Sequence, residues 1–92
     1  MKKEIVFKDP GLTLFDFMPM LKEDVHQLML WGVQEVSPFE WMNYLVEEVG
    51  ELAKAISEFT YRTGFQATIS EEAIQVATLA LKIAKMAEGY KE

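Results

Sequence analysis

Apolar residues recur at three- and four-residue spacing through most of this chain, a period that predicts helices rather than strands. Leu21, Val25, Leu28, Met29, Gly32 and Val36 mark a first amphipathic helix over about residues 19–36. Trp31 falls off that stripe, among Asp24, Gln27 and Gln34. An indole on a polar face is expected to be covered by another subunit or offered to a ligand. Ser37-Pro38-Phe39-Glu40 reads as a helix start, with serine at the N-cap, proline at the first helical position and glutamate placed to close a capping box. The second helix then runs over about 38–63. Its apolar stripe is Met42, Leu45, Val46, Val49, Leu52, Ala53, Ile56 and Phe59, and Thr63-Gly64 supplies a left-handed C-terminal position. A third helix over about 70–89 is capped by Ser70, and Glu71 and Glu72 in its first turn oppose the macrodipole. From Ala73 to Ala87 it is apolar round most of its circumference, with Gln75, Thr78, Lys82 and Lys85 as one narrow polar strip.

Residues 1–18 read as an arm, in which Glu4 to Phe7 suit a short extended segment and Asp9-Pro10-Gly11 a turn. No linker or repeat divides the chain, so residues 1–92 are expected to form a single all-α domain, an antiparallel helical bundle with three main helices. A third helix this apolar needs cover on two sides, and the other helices of so short a chain cover only one. The core is therefore expected to be completed by oligomerisation, as a homodimer or homotetramer, with Ala77, Ala80, Ala84 and Ala87 allowing close helix approach.

Composition narrows the chemistry. The chain has no cysteine, which removes disulfides, thiolate metal sites and cysteine nucleophiles and fits a reducing cytoplasm. Its one histidine, His26, lies on the polar side of the first helix, where a solvated role is expected, and no Gly-rich nucleophile turn accompanies it. A net charge of -6 repels polyphosphate backbones, so no nucleic-acid partner is expected. Met1-Lys2-Lys3 precedes only the short apolar run Ile5 to Phe7, too brief for a signal-peptide core or a membrane span. A soluble, cytoplasmic protein with no membrane partner is the expectation.

The chemistry left is oxygen-based, and it concentrates in the second helix. Glu47, Glu48 and Glu51 sit at the three- and four-residue spacings that make helical neighbours, so their carboxylates can converge on one hard cation. At about 100° per residue, Glu40, Glu47, Glu51, Lys54 and Glu58 share a stripe away from the helix's own core, with Glu48 at its edge. Lys54 can pair with Glu51 or Glu58 there, as on any solvated face. Three like charges on adjacent turns repel, and a bound cation reverses that sign. Magnesium prefers octahedral oxygen coordination and shares substrate phosphates, so Glu-x-x-Glu joined by an acid from another helix is a suitable half-shell.

Glu47-Glu48-Val49-Gly50-Glu51-Leu52, followed by Glu72-Ala73-Ile74-Gln75, resembles the paired Glu-Glu-x-x-Glu and Glu-x-x-Asp motifs of the all-α, MazG-like nucleotide pyrophosphohydrolases. Ser37-Pro38-Phe39-Glu40-Trp41 and Tyr44-Leu45-Val46 are similar to that family's lead-in to the first motif, and the resemblance covers about residues 20–88. It implies hydrolysis of a nucleoside triphosphate to the monophosphate and pyrophosphate, with magnesium, or manganese in its place, as cofactor. On that resemblance Glu48, Glu51 and Glu72 hold metal, Glu47 is a further ligand or the group that orients or deprotonates the attacking water, and Gln75 stands where an aspartate ligand is expected. Gln75 offers a neutral carbonyl that coordinates but neutralises less. Many relatives run on into a further helix whose Lys, Asn or Arg residues meet the phosphates; here Lys54, Lys82 or Lys85 is expected to substitute. Trp31, and after it Trp41 or Gln34, is expected to recognise the base by stacking and hydrogen bonding. The alternatives are a phosphoribosyl-ATP pyrophosphatase-like enzyme, a noncatalytic helical oligomer that senses nucleotides or binds partners, and an acidic dimer whose carboxylates are merely solvated.

Overall fold

In the computed structural model, which describes residues 4–91, every regular element is helical. A short 3-10 helix, Leu14–Phe17, runs into α1, Met18–Trp31; α2 spans Pro38–Tyr61 and α3 spans Gln66–Gly89. Met1 to Lys3 of the expected arm, and Glu92, lie outside the described residues. The rest of the arm has no strand. Its Asp9 Oδ1 accepts the Gly11 N–H at 2.9 Å in the expected turn, where Gly11 takes φ +69°. The 3-10 helix is held by Asp16, whose carboxylate accepts from the Thr13 N–H at 2.6 Å and from its hydroxyl at 3.0 Å.

Helix boundaries depart from expectation where glycine or the core intervenes. α1 stops five residues early because Gly32 adopts φ +67°, which leaves the helical path and which only glycine takes without strain. Val36 therefore lies outside α1. α2 starts where expected, with Ser37 Oγ accepting the Glu40 N–H at 3.3 Å ahead of Pro38 at the first position, but the Glu40 side chain does not return a bond to close the expected capping box. Its end departs from expectation, for Gly64 is not left-handed. The Arg62 and Gly64 N–H groups both donate to the Glu58 carbonyl, at 2.9 and 3.1 Å. A Cβ at Gly64 would stand 2.7 Å from the Phe59 nitrogen, so glycine is required there by close approach. α3 begins four residues early, with Ile69 buried in its first turns, so Ser70 is no cap and Glu71 and Glu72 are beyond the first turn. Their expected role against the macrodipole lapses.

The four-residue connection 62–65 folds α3 back along α2 as a helical hairpin. α3 packs against both α2 and α1, and those two do not pack against each other. Among the described residues the buried positions are Ala55, Ile69, Thr78 and Leu79, and no large side chain is fully buried. Leu45, Leu52 and Phe59 are half-buried as expected, together with Glu48, while Met42, Val46, Val49 and Ile56 stay exposed. The apolar stripe of α2 is wide enough for two neighbours, and α3 takes one edge of it. α1 also departs from its pattern. Its shielded positions are Met20, Glu23, Asp24 and Gln27; Leu21, Val25 and Met29 face away, and Leu28 is also exposed.

Candidate functional site

Because α1 and α2 rest on α3 without touching, a cleft of about 800 Å³ opens over α3, lined by all three helices and by the loop after α1. Its two ends differ in chemistry. At one end stand Glu47 and Glu48 from α2, Gln75 from α3 and Glu23 from α1. With its amide nitrogen toward the acids, Gln75 donates to Glu48 Oε2 at 2.7 Å and to Glu72 Oε2 at 3.2 Å. The opposite orientation sets its oxygen against theirs, so the bonding network assigns the amide. Glu48 and Glu72, from two separate motifs, thus converge on one point. Burial pushes the Glu48 carboxyl above the usual carboxylate range, and the charges of Glu72, Glu23, Glu51 and Glu47 push it the same way.

The expected metal ligands are brought together only in part. Glu48 turns inward toward α3, against the expectation that the carboxylates face away from the core, because α3 packs on the edge of α2 that carries it. Glu47 lines the cleft, whereas Glu51 is exposed and off it, and Glu72 reaches the cluster from behind Gln75. Among the described residues no group of three or more carboxylate or histidine side chains is gathered to hold a metal ion. The amide nitrogen of Gln75 stands between the two acids. Turned over, that amide presents oxygen, and the set Glu48, Glu72 and Gln75 then suits a hard divalent cation in kind.

Glu23 was not foreseen as part of this site. It is half-buried, and Gln27 Nε2 donates to its Oε2 at 2.8 Å. The available signal was the four-residue spacing of Glu23 and Gln27, hidden because the apolar stripe of α1, not its polar side, was expected to face the core. Gln27 also accepts from Lys82 Nζ at 2.9 Å, and Lys82 pairs with Asp24 Oδ1 at 2.6 Å. Lys82, expected to meet phosphates, lines the cleft with its ammonium committed to α1. Lys54 is exposed, lies off the cleft, and pairs with neither Glu51 nor Glu58.

At the other end, Trp31 closes α1 and Trp41 opens α2, on either side of the intervening loop. Tyr44 meets Trp41 edge to face, ring centroids 5.7 Å apart and planes at 86°. Gln34 lines the cleft, and so does His26, which stays exposed as expected. Lys85 lines it too, with no ion pair among the described residues. No known protein family, curated protein or solved structure matches the chain, so what this site does is argued from its own geometry.

Proposed function

We propose that this chain is a divalent-metal-dependent nucleotide pyrophosphohydrolase that acts on nucleoside triphosphates as a homodimer. The observation that carries the reading is the convergence of Glu48 and Glu72 on Gln75 at one end of a cleft whose other end holds two tryptophans. The likeness of the two acidic motifs to those of MazG-like enzymes supports it. Magnesium is the cofactor in this reading, and Glu48, Glu72 and Gln75 would hold it; when bound it lowers the pKa of water and stabilises charge on phosphate. Glu47, in the cleft one residue from Glu48, orients the attacking water and takes its proton. The water oxygen bonds to phosphorus, the bridging P–O bond breaks, and pyrophosphate leaves with the electron pair. Excluding bulk water from the cleft falls to Trp41, Tyr44 and Leu79.

Two features support a second copy. α1 and α2 both turn apolar stripes outward. The chain exposes 7920 Å², whereas a folded monomer of its 10.6 kDa exposes about 5,500 Å². Burying an excess of about 2,400 Å² on each of two chains falls within the range of obligate dimers.

The test is pyrophosphate release from a panel of nucleoside triphosphates and phosphoribosyl-ATP with magnesium. Release that Glu48→Gln lowers at least a hundredfold, about 2.7 kcal/mol, is expected; release from no substrate above that variant sinks the enzyme reading. A noncatalytic helical oligomer is the second reading, favoured by the Gln75 amide already bridging the two acids where a ligand aspartate would leave them unbridged. Gln75→Asp separates the two. In the enzyme it tightens magnesium binding severalfold and keeps or raises turnover, whereas in a scaffold neither form binds magnesium.

A further inference from the structure

The aromatic end of the cleft lies far enough from the acids to belong to another part of the ligand. Gln75 and Lys85 are ten residues apart on α3, about 15 Å along the helix. Trp41 and Glu48 are seven apart on α2, about 10 Å. An elongated ligand with an anionic head at the acidic end therefore brings its tail among Trp31, Trp41 and Lys85. Two indoles facing one cleft suit a flat aromatic tail. What polar edge that tail carries depends on the groups beside the rings. Gln34 offers either oxygen or nitrogen and discriminates little. Lys82, the other ammonium in the cleft, is held by Asp24 and Gln27. Lys85 has no such partner among the described residues, and an ammonium only donates.

We propose that the aromatic end of the cleft is a base subsite in which Lys85 selects bases bearing a keto oxygen over bases bearing an amino group at the same ring position. A keto oxygen accepts from the Lys85 ammonium, whereas an amino group sets donor against donor; because Lys85 is exposed, water takes the place of the lost acceptor and the discrimination is modest. The inference deepens the nucleotide reading and rests on it for the identity of the tail.

Both tryptophans of the chain line this cleft, so intrinsic fluorescence reports its occupancy. The test titrates the protein, with metal chelated, with two matched pairs of nucleosides: inosine against adenosine and uridine against cytidine. Each pair differs in the exocyclic group, keto against amino, and in the adjacent ring nitrogen, an N–H in the keto base and an acceptor in the amino base. In the wild type the keto member is expected to quench with an apparent Kd at least fivefold lower, and in Lys85→Met the ratio is expected to fall to within twofold while quenching persists. Equal affinities within each pair, an unchanged ratio in Lys85→Met, or no quenching by any nucleoside overturns the proposal. The assay uses neither phosphate nor turnover. Quenching without pyrophosphate release would leave this subsite and remove the enzyme, and release without quenching would do the reverse.

Discussion

At Glu48, burial and four neighbouring carboxylates all favour the neutral acid. A carboxyl whose folded pKa lies above its unfolded value binds more protons in the folded chain, so its contribution to stability is complete below the unfolded pKa and is lost as pH rises through the folded one. Without metal, Glu48→Gln is therefore expected to melt higher than wild type, with a gap that opens from about pH 4 and levels off at neutral pH. Thermal melts with chelator across that range check this, and a gap that is constant or reversed would show that Gln75 already offsets the repulsion. Magnesium should close the gap by stabilising wild type alone. The same residue shows what the sequence concealed. The spacing of Glu47, Glu48 and Glu51 was legible, but which one turns inward depends on the edge of α2 that α3 chooses, a tertiary fact. Glu23 was hidden for a related reason, since it belongs to the site only because α1 lays its polar face on α3.

Elements were legible where local chemistry decides them. Ser37 and Pro38 start α2 as their side chains dictate, and the apolar period marked all three helices. Boundaries failed where a residue plays an unexpected part: Gly32 as a stop, Ile69 as a core anchor for an early α3, and Gly64 as a spacer rather than a left-handed cap. Gly64 gives the test at this scale. A methyl group there meets the Phe59 nitrogen and the Glu58 carbonyl carbon, at 2.7 and 2.8 Å, and backbone at the end of a helix cannot step aside as a flexible side chain would. Gly64→Ala should cost about 1–3 kcal/mol, read as a lower urea midpoint at unchanged slope. The α2–α3 turn would open before the cleft, so the fluorescence of Trp31 and Trp41 in the native baseline should not change. Equal stability in the two proteins would mean that the hairpin turn yields freely, and the close approach would not explain the glycine.

The whole molecule measures 52 × 27 × 25 Å, with a radius of gyration of 15.3 Å, where a chain of this length packed alone has about 12 Å. Among the described residues no helix is long and apolar enough to cross a membrane, so the outward stripes of α1 and α2 are not a span. The outer face of α2 is also narrow at its centre. Val46, Gly50, Ala53 and Ser57 follow one another at helical spacing, and nothing within the chain lies within 4 Å of a Cβ built at Gly50. Nothing in the single chain requires that glycine, which costs a helix interior about 1 kcal/mol relative to alanine, whereas the proposed dimer would use it for close helix approach. The expected solution mass is twice the 10.6 kDa of one chain, measured by light scattering on a sizing column. Val46 is 55% exposed in the single chain, so Val46→Asp touches little if the chain is a monomer. In a dimer it places an unpaired carboxylate against an apolar partner, and the dissociation constant should rise at least a hundredfold, about 3 kcal/mol. Helicity by circular dichroism separates dissociation from unfolding, because α2 keeps its contacts with α3 when a partner leaves its other side. A wild-type protein that runs at the mass of one chain at every concentration would remove the dimer, and the outward stripes of α1 and α2 would then need a different partner.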